Sequence, residues 1–559
     1  MEDIPPRHRL LPAAIAYRAL HEPERSYALL PRGDKLQDDF FTLTYGAFSR
    51  AVDEMSWWLD EMLGRVEKDR FKNFPTLPYI GANDFRYALL MYAAMKTARK
   101  ALLPFAANTP EGLLSLLELS GSEVVMASDN HRELWKEPLA LKPDLRFIEM
   151  PDIGHFIHDR AVTPYPYDRS YDEGMNDPVY MIQTSGTTGH PKPILATGRS
   201  VKNNIEVSVR YSDHAPSDQK LAVYGTLHGS YYPNILPMSW IAGLVSVAML
   251  PLYLGDATPI VLPAATIPTP MTATYIDEMN RLVPKGSRNG LVMTPDVLRE
   301  TVGHAKYRQG MKRYDWIGYA GAPLDHVTGD LVASLVPRLQ SFNGSTDTGV
   351  YPLLLNDPVD WKIHRFPRDH EGYHLEFFTD DLYELCIRRQ PDDHRAVFTR
   401  DAECQIWHTN DLWRKVPGRE GFYAGAGRVD DFIKLSSMTK FNAIAIEQSI
   451  DGHPDVAKSL VAGDDQARPF IIVEPAPEIL ASCSTVDVLG RAWRACEAAN
   501  EKILPEARLT KELTLIADPA MPIKRTAKGT VDRRSTIKMY EKRIENLSIM
   551  PQTTICIVV

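Results

Sequence analysis

One short segment in the first half of the chain constrains the fold most. In it, a strand with the apolar composition of buried strands is followed directly by a loop of small residues. The stretch from Val179 to Gln183 is short and apolar, as in a strand buried within a parallel sheet. The loop that follows reads TSGTTG. Glycine lets backbone N–H groups converge on phosphate oxygens, and hydroxyl side chains add donors. The segment therefore predicts an α/β sheet with a phosphate-binding loop at a strand end.

The loop is not a P-loop, because the pattern G-x-x-x-x-G-K-[ST] is absent. A lysine that follows shortly afterwards supplies positive charge for the same phosphate. The predicted phosphate-binding residues are Thr184, Ser185, Gly186, Thr187, Thr188, Gly189 and Lys192.

Helical and strand-like segments alternate from about residue 40, which is typical of parallel sheets covered by helices. In residues 115–128, a leucine-rich helix ends at Gly121 and an apolar strand follows. In residues 316–325, a strand runs into a glycine turn, where α/β sheets bind ligands.

The 559 residues exceed what one core organises, so we expect at least two domains. Sequence character changes near residue 427, and we place the boundary at Asp430. The predicted fold class is α/β. A large N-terminal domain of parallel-rich sheets covered by helices (1–429) is joined by a hinge to a small α+β C-terminal domain (430–559).

Composition excludes several classes of function and location. The net charge of −9 is dispersed along the chain, which argues against a nucleic-acid partner. Five cysteines without close pairing fit a reducing compartment, and the first 20 residues lack the pattern of a secretory signal. We therefore expect a cytoplasmic protein.

Residues 221–255 contain no Asp, Glu, Lys or Arg and imitate a membrane span. Pro237 and Pro251 bracket only about a dozen residues of uninterrupted helix, short of the ~20 that cross a bilayer. We expect a buried core helix here.

The end of the sequence, Cys556 to Val559, has the form of a prenylation motif, but Val is an atypical last residue and no polybasic block precedes it, so an unmodified tail is favoured.

The string T-S-G-T-T-G-x-P-K after a strand resembles the phosphate-loop signature of the adenylate-forming superfamily, which includes acyl-CoA synthetases, luciferases and nonribosomal peptide adenylation domains. Further elements occur in that family's order from about residue 40 to 545. Three segments look most like the adenylation domains of fungal nonribosomal-peptide-synthetase-like reductases: residues 78–87, the Lys-Gly-Thr order at 528–530, and residues 540–547. The resemblance implies ATP-dependent activation of a small-molecule carboxylic acid as its acyl-AMP.

The resemblance also implies roles for residues in FNGSTDTG, 342–349. Thr346 would meet the α-phosphate and Asp347 would hold Mg²⁺, which needs only one or two protein carboxylates when phosphates and waters complete its shell. Asn343, followed by Gly344 and Ser345, stands where relatives commonly stack an aromatic ring on adenine.

The remaining implied roles fall in the last third of the chain. Asp411 would bind the ribose hydroxyls, Arg428 the ribose or phosphate, and Asp430 would act as the hinge for the smaller domain. The catalytic lysine is expected at Lys528, with Lys524 as the second candidate, because the usual Gly-Lys order is reversed here.

The uncharged run bears on the substrate. Family members that activate α-amino acids usually place an aspartate in this region to pair with the ammonium, and an unpaired buried amine would be costly. We therefore expect an aryl or alkyl acid without an α-amine. Expected pocket walls, each equally compatible with plain core packing, are His228, Tyr231, Trp240, Gly318, Ala320, Gly321 and Ala322.

Three acceptors remain open: coenzyme A, the phosphopantetheine of a separate carrier protein, or direct attack by an amine or other nucleophile. Met438 stands where relatives often have glycine, which mildly favours the third. Together with Asn343, Asp347 and Thr530, it also leaves room for a catalytically silent nucleotide-binding descendant.

A Cys/His metal site is not predicted, because Cys404 and His408 lack a second ligand pair in the sequence.

Overall fold

The computed structural model describes residues 4–66, 71–184, 191–264, 270–368, 370–437, 439–482, 485–501, 503–525 and 531–549. The strands are β1 Ser26–Pro31, β2 Phe40–Thr44, β3 Thr76–Ile80, β4 Lys100–Leu103, β5 Val124–Ala127, β6 Arg146–Glu149, β7 Pro178–Thr184, β8 Lys192–Thr197, β9 Ser230–Asn234, β10 Thr258–Val261, β11 Arg288–Met293, β12 Trp316–Tyr319, β13 Leu339–Ser341, β14 Gly344–Ser345, β15 Gly349–Val350, β16 Ile363–His364, β17 Tyr373–Thr379, β18 Leu382–Arg388, β19 Ile406–Lys415, β20 Tyr423–Arg428, β21 Phe432–Lys434, β22 Lys440–Asn442, β23 Val456–Ala462, β24 Phe470–Pro475 and β25 Thr514–Ile516.

The α-helices are α1 Leu11–His21, α2 Tyr45–Leu63, α3 Arg86–Lys96, α4 Pro110–Ser120, α5 Lys136–Leu141, α6 Ile153–Phe156, α7 Tyr171–Gly174, α8 Gly198–Val201, α9 Val207–His214, α10 Ala222–Leu227, α11 Ile241–Ala248, α12 Leu250–Leu254, α13 Ala273–Arg281, α14 Pro295–Gly303, α15 Ala305–Met311, α16 His326–Ala333, α17 Ala396–Arg400, α18 Ala443–Asp451, α19 Pro477–Ser482, α20 Thr485–Asn500 and α21 Arg533–Ile549.

The chain divides into two compact units. The larger unit comprises residues 1–321, 328–372 and 388–407. The smaller unit comprises residues 322–327, 373–387 and 408–559. The boundary and hinge predicted at Asp430 remain a prediction.

Two parallel-rich sheets form the larger unit. The first has the order β13-β12-β11-β9-β10-β1-β2, and the second has the order β6-β5-β3-β4-β7-β8. In each sheet all pairs are parallel except one antiparallel pair at an edge, β1 with β2 and β7 with β8. The predicted α/β class with parallel-rich sheets is confirmed.

Helix α3 lies between these sheets. It contacts β4 and β7 of the second sheet, and it contacts α11, which in turn contacts β9 and β10 of the first. Every residue of α3 is buried, including the charged residues at its two ends. Arg86 pairs with Asp84 at 2.6 Å, and the Lys96 ammonium is hydrogen-bonded to buried Asp53. Burial raises the pKa of Asp53, and Lys96 opposes that shift.

Local sequence signals account for the elements that carry the site. The prediction for residues 115–128 is confirmed, since α4 ends where Gly121 adopts a left-handed conformation (φ 61°) and β5 follows. The strand and turn predicted at 316–325 are also confirmed: β12 ends at Tyr319, and Gly321 has φ 95°.

The uncharged run folds inside the core. It forms α10, β9, α11 and α12, and the last six residues of α11 are buried. The helix breaks at Met249, just before Pro251, which lacks a backbone N–H. Across the described ranges, no helix combines the length and apolar character needed to cross a bilayer.

The smaller unit combines antiparallel strands with helices, which matches the predicted α+β character. Strands β17 to β20 lie side by side in sequence order, with β17/β18 and β19/β20 antiparallel. A second sheet, β23-β24-β25, shares a core with residues of α18 and α20. Arg533 at the start of α21 pairs with the buried Glu447 of α18 at 2.7 Å.

A close packing contact in the first sheet yields a stability prediction. A Cβ on Gly290 of β11 would lie 1.8 Å from the ring of Trp316, which is fully buried on the neighbouring β12. Gly290→Ala should therefore lower the free energy of unfolding by about 1–3 kcal/mol, measured by urea unfolding with tryptophan fluorescence. Gly303→Ala is the matched control, since a Cβ there meets nothing within 4 Å. Equal unfolding midpoints for the two variants would contradict this packing.

Candidate active site

Side chains that follow several parallel strands converge at the carboxyl edges of the two large sheets, where such sheets bind ligands. Phe105 follows β4 and Trp240 follows β9, and their ring centroids lie 6.2 Å apart. A Cβ on Gly321, after β12, would be 3.9 Å from the Trp240 ring. The two sheets therefore meet at an aromatic wall on their carboxyl edges.

The predicted phosphate loop leaves the same edge. Thr184 ends β7 and pairs across from Lys192 of β8, so the register sets both residues at the mouth of the loop. Ser185, Gly186, Thr187, Thr188 and Gly189 lie outside the described residues. Gln183, one residue before the mouth, is fixed by a two-way amide pair with Asn108 at 2.6 and 2.8 Å.

The Gln183 amide also ties the phosphate loop to the aromatic wall. Its carbonyl oxygen accepts a hydrogen bond from the backbone N–H of Phe105 at 3.1 Å. Leu103 pairs with Ile182, so Phe105 and Thr184 each stand two residues beyond a paired position. Thr184 at the loop mouth and Phe105 of the wall therefore follow neighbouring strands and lie at the same level of the sheet.

The segment 342–349 forms a tight hairpin of β14 and β15. Two hydrogen bonds between Ser345 and Thr348 close the turn. Their hydroxyl oxygens lie 2.8 Å apart, and the backbone N–H of Thr348 donates to Ser345 Oγ at 3.2 Å. The amide oxygen of Asn343 accepts from the hydroxyl of Ser341 at 2.9 Å. Thr346 lies in the same turn, so the hairpin presents the residue predicted to meet the α-phosphate.

The predicted magnesium ligand, Asp347, is held by an arginine that the sequence did not single out. Arg400 Nη1 lies 3.0 Å from Asp347 Oδ1, and the two side chains are 47% and 22% exposed. No local signal marks Arg400, which is 53 residues away in the chain. The carboxylate of Asp347 is therefore partly exposed and has Arg400 as its partner, and its role as a magnesium ligand remains a prediction.

Gly318 and Ala320 line the end of β12, but Gly318 has a packing reason of its own. A Cβ there would lie 2.6 Å from the ring of Phe342, which fills the space beside the strand. Ala320 is buried and Gly321 is exposed. Ala322 follows Gly321 in the chain and belongs to the smaller unit.

Two residues predicted to line the pocket lie at the opposite edge of the sheet. Gly318 pairs with Val292, and Val292 pairs with Asn234. Asn234 of β9 therefore lies at the same level of the sheet as Gly318. Tyr231 is three residues earlier, about 10 Å along the strand, and His228 is earlier still. The structure therefore does not bring His228 and Tyr231 together with Gly318, Ala320 and Trp240.

His228 has structural partners at that amino edge. Its two ring nitrogens lie 2.9 Å from carboxylate oxygens of Asp256 and Asp213. Hydrogen bonding to Asp256 is the main reason that the pKa of His228 is raised, and Asp213 adds to it. This arrangement joins α9 to the loops that flank β9 and β10.

In the smaller unit, the structure brings together Asp411, predicted to bind ribose, and Arg428, predicted to bind ribose or phosphate. Asp411 and Arg428 occupy paired positions on β19 and β20, with Arg428 Nη1 3.2 Å from Asp411 Oδ1. Asn410 takes a left-handed conformation (φ 61°), and its N–H donates to Glu384 at 3.0 Å. The irregular strand therefore presents Asp411 beside Arg428, although they are 17 residues apart in sequence.

The remaining predicted residues lie between position 430 and the end of the sequence. Lys524 is exposed, and its backbone N–H donates to Thr536 Oγ1 at 2.9 Å. Lys528 and Thr530 lie outside the described residues, as do Met438 and Cys556. Asp430 lies in the short 3₁₀ turn Val429–Asp431, directly after β20.

Sequence comparisons identify two family regions in the chain. The family described as "AMP-binding enzyme" matches residues 21–367, well over half of the chain. The family described as "AMP-binding enzyme C-terminal domain" matches residues 430–548.

Curated relatives are longer fungal proteins. A carboxylic acid reductase from Neurospora crassa is 26% identical over 556 residues, covering 98% of this chain and 51% of the relative. An adenylate-forming reductase from Serpula lacrymans is 25% identical, covering 72% of this chain and 37% of the relative. The chain thus spans about half or less of the length of these relatives.

A solved structure of a benzoate CoA ligase from Burkholderia xenovorans has the same fold, with a TM-score of 0.67 at 16% identity, covering 93% of this chain and 99% of the ligase. The resemblance to adenylate-forming enzymes and to fungal reductases of this kind is therefore confirmed. The chain belongs to the AMP-binding enzyme family.

Proposed function

We propose that this enzyme uses ATP to activate an aryl or alkyl carboxylic acid without an α-amine, forming the acyl-AMP and pyrophosphate. The observation that carries the proposal is the position of the loop mouth, Thr184 and Lys192, beside the aromatic wall of Phe105 and Trp240. A carboxylic acid held by such a wall would have its carboxylate next to the bound triphosphate. Family membership supports ATP as the nucleotide.

In the proposed first step, a substrate carboxylate oxygen forms a bond to the α-phosphorus of ATP, and the bond from that phosphorus to the pyrophosphate oxygen breaks. No general base is needed, because the carboxylate is already ionised at neutral pH. The chain must position two anions and offset their charge, a task for Lys192, the loop amides and a lysine near the C-terminus. Mg²⁺ on the phosphates and Asp347 would supply further neutralisation.

The argument for an acid without an amine comes from the surroundings of the uncharged run. No acid occurs between residues 221 and 255, and the next one, Asp256, binds His228 at the amino edge of the sheet. A substrate ammonium at the Phe105–Trp240 wall would lack a carboxylate from this run. Burying a charge without a partner is costly, which disfavours α-amino acids.

For the second step, we propose attack of a thiol on the acyl carbonyl carbon. The new carbon–sulfur bond forms, the bond to the AMP oxygen breaks, and the thiol proton is released. The thiol belongs to coenzyme A or to the phosphopantetheine of a carrier protein that acts in trans. Direct attack by an amine or another nucleophile is the alternative acceptor chemistry.

A second candidate function is nucleotide binding without catalysis. The ion pair between Asp347 and Arg400 favours it, because the carboxylate proposed to hold Mg²⁺ already has a cation of the protein as its partner. The order of Lys528 and Gly529 is a second departure from relatives. This alternative predicts ATP binding without turnover.

Two further proposals concern organisation and location. A hinge at Asp430 is supported by the C-terminal family match, which begins at that residue. A cytoplasmic location is supported by the few, unpaired cysteines, since three that the structure describes are free thiols.

The first test measures exchange of labelled pyrophosphate into ATP over a panel of benzoates, straight-chain acids and α-amino acids. We expect acid-dependent exchange with an aryl or alkyl acid and at least tenfold slower exchange with its α-amino analogue, because the ammonium lacks a partner. Preference for the amino analogue would overturn the substrate class. ATP binding without exchange for any acid would favour the silent descendant.

Replacing the ribose carboxylate should weaken nucleotide use. Asp411→Asn should lower kcat/KM for ATP about 10- to 100-fold, because charge-assisted hydrogen bonds to the ribose are lost. Asp381→Asn is the matched control, since Asp381 forms an exposed ion pair with Arg414 at 2.7 Å in the same group of strands. Equal effects of the two variants would show that Asp411 acts only through strand pairing.

The catalytic lysine is assigned by comparing two alanine variants in the same exchange assay. Lys528→Ala should reduce the exchange rate by roughly 10²-fold or more, because a cation that stabilises developing charge is lost. Lys524→Ala should change it little. The reverse order would move the role to Lys524, and wild-type rates in both would place the charge elsewhere.

A further inference from the structure

Three neighbouring strands of the smaller unit carry residues of the types that bind transition metals. Strand β17 contributes His374 and Glu376, strand β18 contributes Glu384 and Cys386, and strand β19 contributes His408. The sequence shows no paired Cys/His motif here, because the five residues are spread over 35 positions. Only the pairing of the strands assembles them.

The strand register places these side chains on one face. His374 pairs directly across from Cys386, and Glu376 pairs across from Glu384. Residues directly opposite each other in a sheet, and residues two apart on one strand, point to the same side. His408 joins the same face, since its Nδ1 lies 2.9 Å from Glu384 and 3.4 Å from Cys386 Sγ.

The spacing of the ligand atoms fits a small cation. One ligand atom each from Glu376, Cys386 and His408 lies within 4.8 Å of the others. Ligands 2.0–2.3 Å from a tetrahedral zinc ion lie roughly 3.3–3.8 Å from one another. The distance of 3.4 Å between Cys386 Sγ and His408 Nδ1 is already in this range.

We propose that Cys386, His408 and Glu376 bind a divalent transition metal of the zinc class. A thiolate and an imidazole favour such an ion over Mg²⁺ or Ca²⁺, which take oxygen ligands. Glu384 lies beside these three residues, and its carboxylate contacts His408. His374, 2.9 Å from Glu376, orients that carboxylate, as outer partners of metal ligands commonly do.

The site has a buried and an open side. Cys386 is fully buried, Glu384 is nearly so, and the His408 side chain is 54% exposed. An ion can therefore enter from solvent past His408 and reach the thiol beneath. The site is distinct in its residues from Asp347, the predicted magnesium ligand of the nucleotide.

Glu384 connects the cluster to the predicted ribose site. One of its carboxylate oxygens contacts His408, and the other accepts the backbone N–H of Asn410, which precedes Asp411. Metal binding itself does not depend on adenylation, so it is tested without ATP.

The experiment uses the full chain, purified without a polyhistidine tag and treated with a chelator. Calorimetric titration with Zn²⁺ and optical titration with Co²⁺ should both give one ion per chain, and Co²⁺ should produce a thiolate-to-metal charge-transfer band. His408→Asn changes an exposed side chain and should weaken binding of either ion about tenfold or more. Cys386→Ser should abolish the charge-transfer band.

Cys404→Ser is the matched control, because Cys404 is a free, partly exposed thiol outside the cluster, and it should leave stoichiometry, affinity and the band unchanged. Circular dichroism of each variant separates loss of ligand from loss of fold. Binding below one ion per chain, a wild-type band that persists in Cys386→Ser, or equal affinity in His408→Asn and wild type would each overturn the proposal. Metal binding with no pyrophosphate exchange would leave it standing while the proposed adenylation failed.

Discussion

The complete burial of helix α3 is the constraint on which the larger unit depends. A helix apolar on all sides must be covered on all sides, and here one sheet covers it directly while the other does so through α11. The two charged ends of α3 are tolerated because each has an acidic partner, and removing one partner would leave a costly buried charge. With the sheets held against this common layer, their carboxyl edges meet at Phe105 and Trp240.

Both acids predicted to act on the nucleotide are paired with arginine within their own unit. Asp347 is held by Arg400 in the larger unit, and Asp411 by Arg428 in the smaller one. In each pair both side chains are partly exposed, so the pairs contribute little to stability and can be exchanged for other partners. Under the proposed function, nucleotide binding would replace the arginine contact of Asp347 with Mg²⁺ and that of Asp411 with the ribose hydroxyls.

The sequence predicted what depends on local order and missed what depends on pairing between distant strands. The buried strand before the phosphate loop, the Gly121 cap and the Gly321 turn each rest on a few consecutive residues, and each was predicted correctly. Arg400 and the His408 cluster carry no local signature, because strand register alone brings them to their partners. The same reason explains why His228 and Tyr231 lie away from the predicted pocket. The uncharged run is core, as its composition predicts, but the direction of β9 in the sheet decides which end of the strand lies near Gly318.

The contact between Gly318 and Phe342 couples the packing of β12 to the position of Asp347. The ring of Phe342 occupies the place of a missing side chain at the carboxyl end of β12, and the same segment continues to the hairpin that carries Asp347. A larger residue at position 318 would push the ring and, with it, the base of that hairpin. Positions 318 and 342 are therefore coupled, because a larger residue at position 318 needs a smaller one at position 342.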